Sequence, residues 1–102
     1  MSSVSSGAKI LYAEFTAKPG TAEEVARLLA DLAVKVRAEP GNVAFDCYRL
    51  SADPAKFFVF EFYRDDAAFQ THILADYGAE FNSRLGPLIV EPHSLLTFLN
   101  PL

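Results

Sequence analysis

Within F-F-V-F-E-F-Y-R-D-D-A-A-F-Q-T-H (57–72), one glutamate, Glu61, stands among five aromatics in seven residues, and a histidine, His72, closes the stretch. A carboxylate beside an imidazole is the commonest equipment for moving a proton near neutral pH. The bland readings stand beside that one. A buried Glu is expensive unless paired, so Glu61 has either a partner or a purpose. His72 lies three residues after Phe69 on an apolar stripe, where a histidine is either a boundary residue or an acid–base. Tyr12, Tyr63 and Tyr77 are either core residues with a satisfied hydroxyl or polar handles in a pocket. Side chains alternate along a strand, so Glu61 points with Val59 and Tyr63, away from Phe58, Phe60 and Phe62. If Tyr12 shares Glu61's face, then Tyr12, Glu61, Tyr63, His72 and Tyr77 converge with Phe69 in a mostly apolar pocket, the usual form of a small-molecule site.

Other chemistries lack their motifs. The chain contains no G-x-x-x-x-G-K-[ST], G-x-G-x-x-G or G-x-S-x-G, the signatures of phosphate cradles and nucleophile elbows. Two histidines and a single cysteine, Cys47, do not make a metal-ligand set, so no metal site and no bound cofactor is expected. His93 reads as surface, and Cys47 as a small packed hydrophobe.

The elements that must position these residues follow from pattern. K-I-L-Y-A-E-F-T (9–16) is a β-rich run ended by K-P-G (18–20). Thr21 and Glu24 have capping-box spacing ahead of a helix whose Val25, Leu28, Leu29, Leu32 and Val36 form one stripe. E-P-G (39–41) ends that helix; 43–50 and 57–64 read as two further strands. Asp65 or Asp66 caps a second helix carrying Phe69, Ile73 and Tyr77, with Gly78 as a break, and 93–99 is a last strand. The order β-α-β-β-α-β predicts a ferredoxin-like α+β fold, a four-stranded antiparallel sheet with its helices on one face.

Such a sheet has a bare face. The sequence assigns to it Leu11, Ala13 and Phe15 from the first strand and Phe58, Phe60 and Phe62 from the third. Each Phe left in water forgoes roughly 1.5–3 kcal/mol, so the expected cover is a second copy of the sheet in a C₂ homodimer through Leu11, Phe15, Phe58, Phe60 and Phe62.

The totals agree with one domain. The 102 residues are 51% hydrophobic and 22% charged, with a net charge of −4, which is a folding composition without the basic surface that nucleic acid or an anionic membrane requires. No apolar run is long enough to span a membrane. M-S-S-V-S-S-G (1–7) has neither the basic nor the apolar region of a signal peptide and reads as a flexible tail, with the domain over 8–102. One cysteine makes a reducing cytoplasm the default.

K-P-G (18–20), R-A-E-P-G (37–41), F-V-F-E-F-Y-R-D-D-A-A-F-Q-T-H (58–72) and the closing E-P-H-S-L-L-T-F-L-N-P-L, in that order and spacing, resemble the antibiotic biosynthesis monooxygenase domain, which includes quinol monooxygenases. The resemblance runs from about residue 9 to residue 102. It implies a dimeric α+β barrel with a pocket in each subunit between sheet and helices. It also implies oxidation of a small phenol or quinol by O₂ without flavin, haem or metal. Carried over, His72 and Tyr63 match family pocket positions, Glu61 the glutamate before that aromatic, and Tyr12 a strand-one position that lines the pocket in some relatives. The expected site is then His72 as the acid–base with Tyr63 and Glu61 as catalytic neighbours, and Tyr12, Tyr77 and Phe69 against the substrate. The family's aromatic is often Trp where Tyr63 stands, and a second family histidine is missing, with Tyr77 nearest. Both departures speak against the haem-degrading branch. The alternative of another class is a non-catalytic small-ligand-binding or stress-related module with the same pocket.

Overall fold

The computed structural model describes residues 7–102, so the tail read over residues 1–7 lies outside the described residues, Gly7 excepted. The elements are β1 (Lys9–Thr16), α1 (Ala22–Arg37), β2 (Asn42–Arg49), β3 (Lys56–Tyr63), α2 (Asp66–Ile73), α3 (Asp76–Leu85), a 3₁₀ turn (Gly86–Leu88) and β4 (Leu95–Leu99). The four strands form an antiparallel sheet in the order β2-β3-β1-β4. This is the expected ferredoxin-like α+β topology. The sheet is open, with β2 and β4 as its edges.

Three local expectations change. The second helix is two, because the chain leaves helical geometry at Ala75 (φ −69°, ψ 136°) rather than at Gly78. Gly78 sits in the first turn of α3, its N–H donating to Ala75 O. The last strand begins at Leu95 rather than His93. The capping box does not form. Thr21 precedes α1 without a side-chain cap, and its hydroxyl donates to Lys18 O and Leu88 O, tying the loop before α1 to the 3₁₀ turn. In that loop Gly20 has φ +84°, a left-handed conformation that a side chain disfavours.

The core lies between the helices and one face of the sheet. Val25, Leu29, Ala33 and Val36 of α1 are buried against Phe57, Val59 and Tyr63 of β3. The β3 parity is as expected: Phe57, Val59, Glu61 and Tyr63 are buried, while Phe58, Phe60 and Phe62 are half-buried on the other face. The β1 parity is the reverse of the expectation. Leu11 pairs across from Glu61, Ala13 from Val59 and Phe15 from Phe57, and all three β1 residues are buried under the helices. Leu11 and Phe15 are therefore core residues and do not belong to the bare face. Tyr12 does, opposite Phe60, with its ring stacked on Phe58 at 4.9 Å between centroids. The Leu11–Ala13–Phe15 set is wholly apolar, whereas the alternate set mixes Ile10 and Tyr12 with Glu14 and Thr16, and a one-residue change of register moves every side chain to the other face. The pairing with β3 turns the wholly apolar set to the helices.

Candidate functional site

Glu61 is the one charged side chain in the buried set among the described residues, 6% exposed. It is there because β3 must turn every second residue toward the helices, and position 61 falls between Val59 and Tyr63. Two residues on, the Tyr63 hydroxyl donates to Glu61 Oε1 at 2.7 Å.

After β3 the backbone is pinned twice. Arg64 N–H donates to Gly41 O, and Asp65, in extended conformation, accepts from Ala68 N at 2.8 Å and so caps α2. From that start Phe69 and His72 fall on one helix face, turned to the sheet. The Tyr63 ring lies 4.8 Å from the His72 ring, Phe69 lies 6.2 Å from it, and Phe45 of β2 lies 6.4 Å away. His72 Nε2 is 3.7 Å from Glu61 Oε1, too long for a hydrogen bond. His72 Nδ1 is 3.0 Å from Glu39 Oε2.

Glu39 is the residue that the sequence reading missed. It stands in E-P-G, read only as the end of a helix, yet its side chain is 11% exposed. Its Oε2 also accepts a hydrogen bond from the Tyr77 hydroxyl, delivered by the start of α3. The signal was present as a carboxylate placed at a tight turn, but nothing in the local pattern says that the turn folds toward the helix bearing His72. Gly41 is what permits it. A Cβ there would lie 2.2 Å from Ala68 Cβ, so only glycine lets this turn approach α2 so closely.

An imidazole thus stands between two carboxylates, each tied to a tyrosine. Burial raises the Glu61 pKa above the usual carboxylate range, partly offset by the Tyr63 hydrogen bond and by His72. Burial and the neighbouring Glu61 also raise the Tyr63 pKa. Burial, with the hydrogen bond to Glu39, pushes Tyr77 up to about 12. Both phenols are protonated at neutral pH and act as donors. The arrangement can accept, hold and return a proton at His72 or Glu61.

Beside it lies a cavity of about 140 Å³. Leu11, Phe15, Leu29, Phe45 and Phe81 contribute apolar wall, and Glu61, His72, Asn82 and Ser94 contribute polar atoms. An apolar cavity of about this size holds one benzene ring. Of the expected site residues, Glu61, His72 and Phe69 line the cavity, and Tyr63 bonds to Glu61 from beside it. Tyr77 reaches the site only through Glu39. Tyr12 is not at the site, since it lies on the opposite face of the sheet. Among the described residues no group of three or more His, Cys, Asp or Glu is arranged to hold a metal ion.

Comparison with known proteins places this geometry in context. The family model described as antibiotic biosynthesis monooxygenase matches residues 10–92. A Pseudomonas aeruginosa crystal structure superposes with a TM-score of 0.87 at 31% identity, covering 96% of this chain and 97% of the other. A Mycobacterium tuberculosis protein gives 0.86 at 25% identity over 93% and 95%. A candidate antibiotic biosynthesis monooxygenase of Caulobacter crescentus gives 0.86 at 25% identity over 94% and 91%.

Proposed function

Because the chain belongs to the antibiotic biosynthesis monooxygenase family, we propose that it oxidises a small, electron-rich phenol or quinol with O₂ and needs no cofactor. The observation that carries the reading is the His72–Glu61 pair on the wall of a one-ring apolar cavity.

The chemistry asked of the protein is modest. His72 takes the phenolic proton and leaves a phenolate whose ring is electron-rich enough to react with O₂ directly. For a hydroquinone the balance closes on the substrate alone. The ring gives up four electrons, one oxygen atom ends on a ring carbon, the other leaves as water, and the product is a hydroxyquinone. The apolar wall strips water from the phenolate and strengthens its contacts with the polar groups. Tyr63, held by Glu61, packs edge-to-face with Phe69 and against the His72 ring, which keeps His72 oriented. Glu61, with its raised pKa, can return a proton to the departing oxygen.

A panel of single-ring hydroquinones in an oxygen electrode tests this reading. Uptake of O₂ that depends on the protein and is lost in His72→Ala supports it. Ring-sized ligands that bind without O₂ uptake would instead favour a non-catalytic binding module.

A further inference from the structure

We propose that Glu39 is a positioning residue that keeps the His72 proton on Nδ1, so that Nε2 is the atom that receives the substrate's proton. The inference rests on reading His72 as the base.

Glu39 Oε2 receives two groups, the Tyr77 hydroxyl and, at 3.0 Å, His72 Nδ1. An ionised carboxylate can only accept. Tyr77, a phenol held protonated, has a proton to give, and so must Nδ1. In a neutral imidazole one nitrogen carries the proton and the other the lone pair. The lone pair therefore falls on Nε2. Among the described residues no partner uses up that nitrogen, since Glu61 Oε1 stands 3.7 Å away, beyond hydrogen-bond length. The opposite tautomer would set a lone pair against a carboxylate oxygen at 3.0 Å.

Two further observations set Glu39 apart from an ordinary structural carboxylate. Its Oε1 is buried with no hydrogen-bond partner among the described residues. A carboxylate kept for stability would satisfy both oxygens, whereas here both donors meet on the one that touches His72. Its backbone is also held firmly. Glu39 N–H donates to Val36 O at 2.9 Å and Asn42 N–H donates to Glu39 O at 3.1 Å, so the turn is closed on both sides.

In the step itself the O–H bond of the phenol breaks, an N–H bond forms at Nε2, and the bonding electron pair stays on the phenolate oxygen. The imidazolium then lies between Glu39 and Glu61, with Tyr63, Phe69 and Phe45 as its other neighbours.

The tautomer is read directly by ¹⁵N correlation spectroscopy of the imidazole rings at alkaline pH. The chain has two histidines, and a His93→Gln variant assigns the signals. Wild-type His72 should show a protonated Nδ1 and an unprotonated Nε2. Tyr77→Phe should keep that pattern, because Glu39 remains. Glu39→Ala should lose it toward the Nε2–H form that free imidazole prefers, and Glu39→Gln, whose amide oxygen can still accept but whose NH₂ competes for the same place, should weaken it. On an accepted hydroquinone, Glu39→Gln should lower kcat by roughly 10–10³-fold and move KM far less. A wild-type His72 protonated on Nε2 overturns the inference, as does a wild-type pattern retained in both Glu39 variants. If no hydroquinone is consumed, the oxygenase reading fails while the spectra still decide the tautomer.

Discussion

At the scale of single residues, the site is an imidazole between two carboxylates, and the two kinds of group predict different readouts. His72→Ala should cost about 10²–10⁴ in turnover, the usual worth of general acid–base catalysis, and should abolish any rise of activity with pH that needs a neutral imidazole. Unchanged rate and pH profile would return His72 to the status of a boundary residue. Glu61 makes a prediction about stability. Its folded pKa is raised, chiefly by burial. A carboxyl shifted upward stabilises the fold fully below its unfolded value of about 4.3 and loses that contribution as pH rises through the folded value. Glu61→Gln keeps an acceptor for Tyr63 and carries no charge. The variant should therefore match the wild type near pH 4 and melt progressively higher than it as pH rises. About 1 kcal/mol reads as ~4–8 °C in a domain of this size. A melting difference that stays constant from pH 4 to 8 would show that Glu61 does not titrate inside the fold.

At the scale of elements, α2 and the turn after α1 are the parts whose placement matters most. Asp65 caps α2, and Asp65→Ala should cost about 0.5–2 kcal/mol in urea unfolding. Gly41→Ala places a methyl group 2.2 Å from Ala68 Cβ, so either the turn or α2 must move, at about 1–3 kcal/mol. Because the turn carries Glu39 and α2 carries His72, that variant should also lose activity beyond what its fraction unfolded explains. Full activity per folded molecule would mean that the spacing of turn and helix is not critical. The interruption between α2 and α3 belongs to this scale as well. By restarting the helix at Asp76, the chain brings Tyr77 to Glu39 instead of extending the Phe69 stripe.

At the scale of the whole molecule, the unresolved demand is the second face of the sheet. Tyr12, Phe58, Phe60 and Phe62 are half-buried there, and Tyr48, Leu95 and Leu99 are 57%, 40% and 39% exposed. We propose that a second copy covers this face, through Tyr12 and the three β3 phenylalanines rather than through Leu11 and Phe15. Light scattering at micromolar concentration should give about twice the 11.2 kDa chain mass. Phe60→Asp should set a charge in the covered face and yield a monomer or an unfolded chain. A wild-type protein that stays folded and monomeric would show that this face tolerates water. No helix among the described residues is long and apolar enough to cross a membrane.

The sequence by itself determined the order of the four strands along the chain, the ferredoxin-like topology, and the two faces of β3, but not the break at Ala75 that makes the second helix two. These follow from alternation, turn residues and helical stripes, which are local. It also determined that Glu61 and His72 are the residues to watch, since a glutamate within an apolar strand face is anomalous wherever that strand goes. The register of β1 was decided only in three dimensions. Leu11, Ala13 and Phe15 make one wholly apolar face and Ile10, Tyr12, Glu14 and Thr16 a mixed one; both carry large apolar side chains, and the pairing with β3 sets which meets the helices. Tyr12 left the site and Leu11 entered its wall for that single reason. Glu39 joined the site by the same kind of cause. It is 33 residues from His72 along the chain, and their contact depends on a glycine small enough for a turn to lie against a helix.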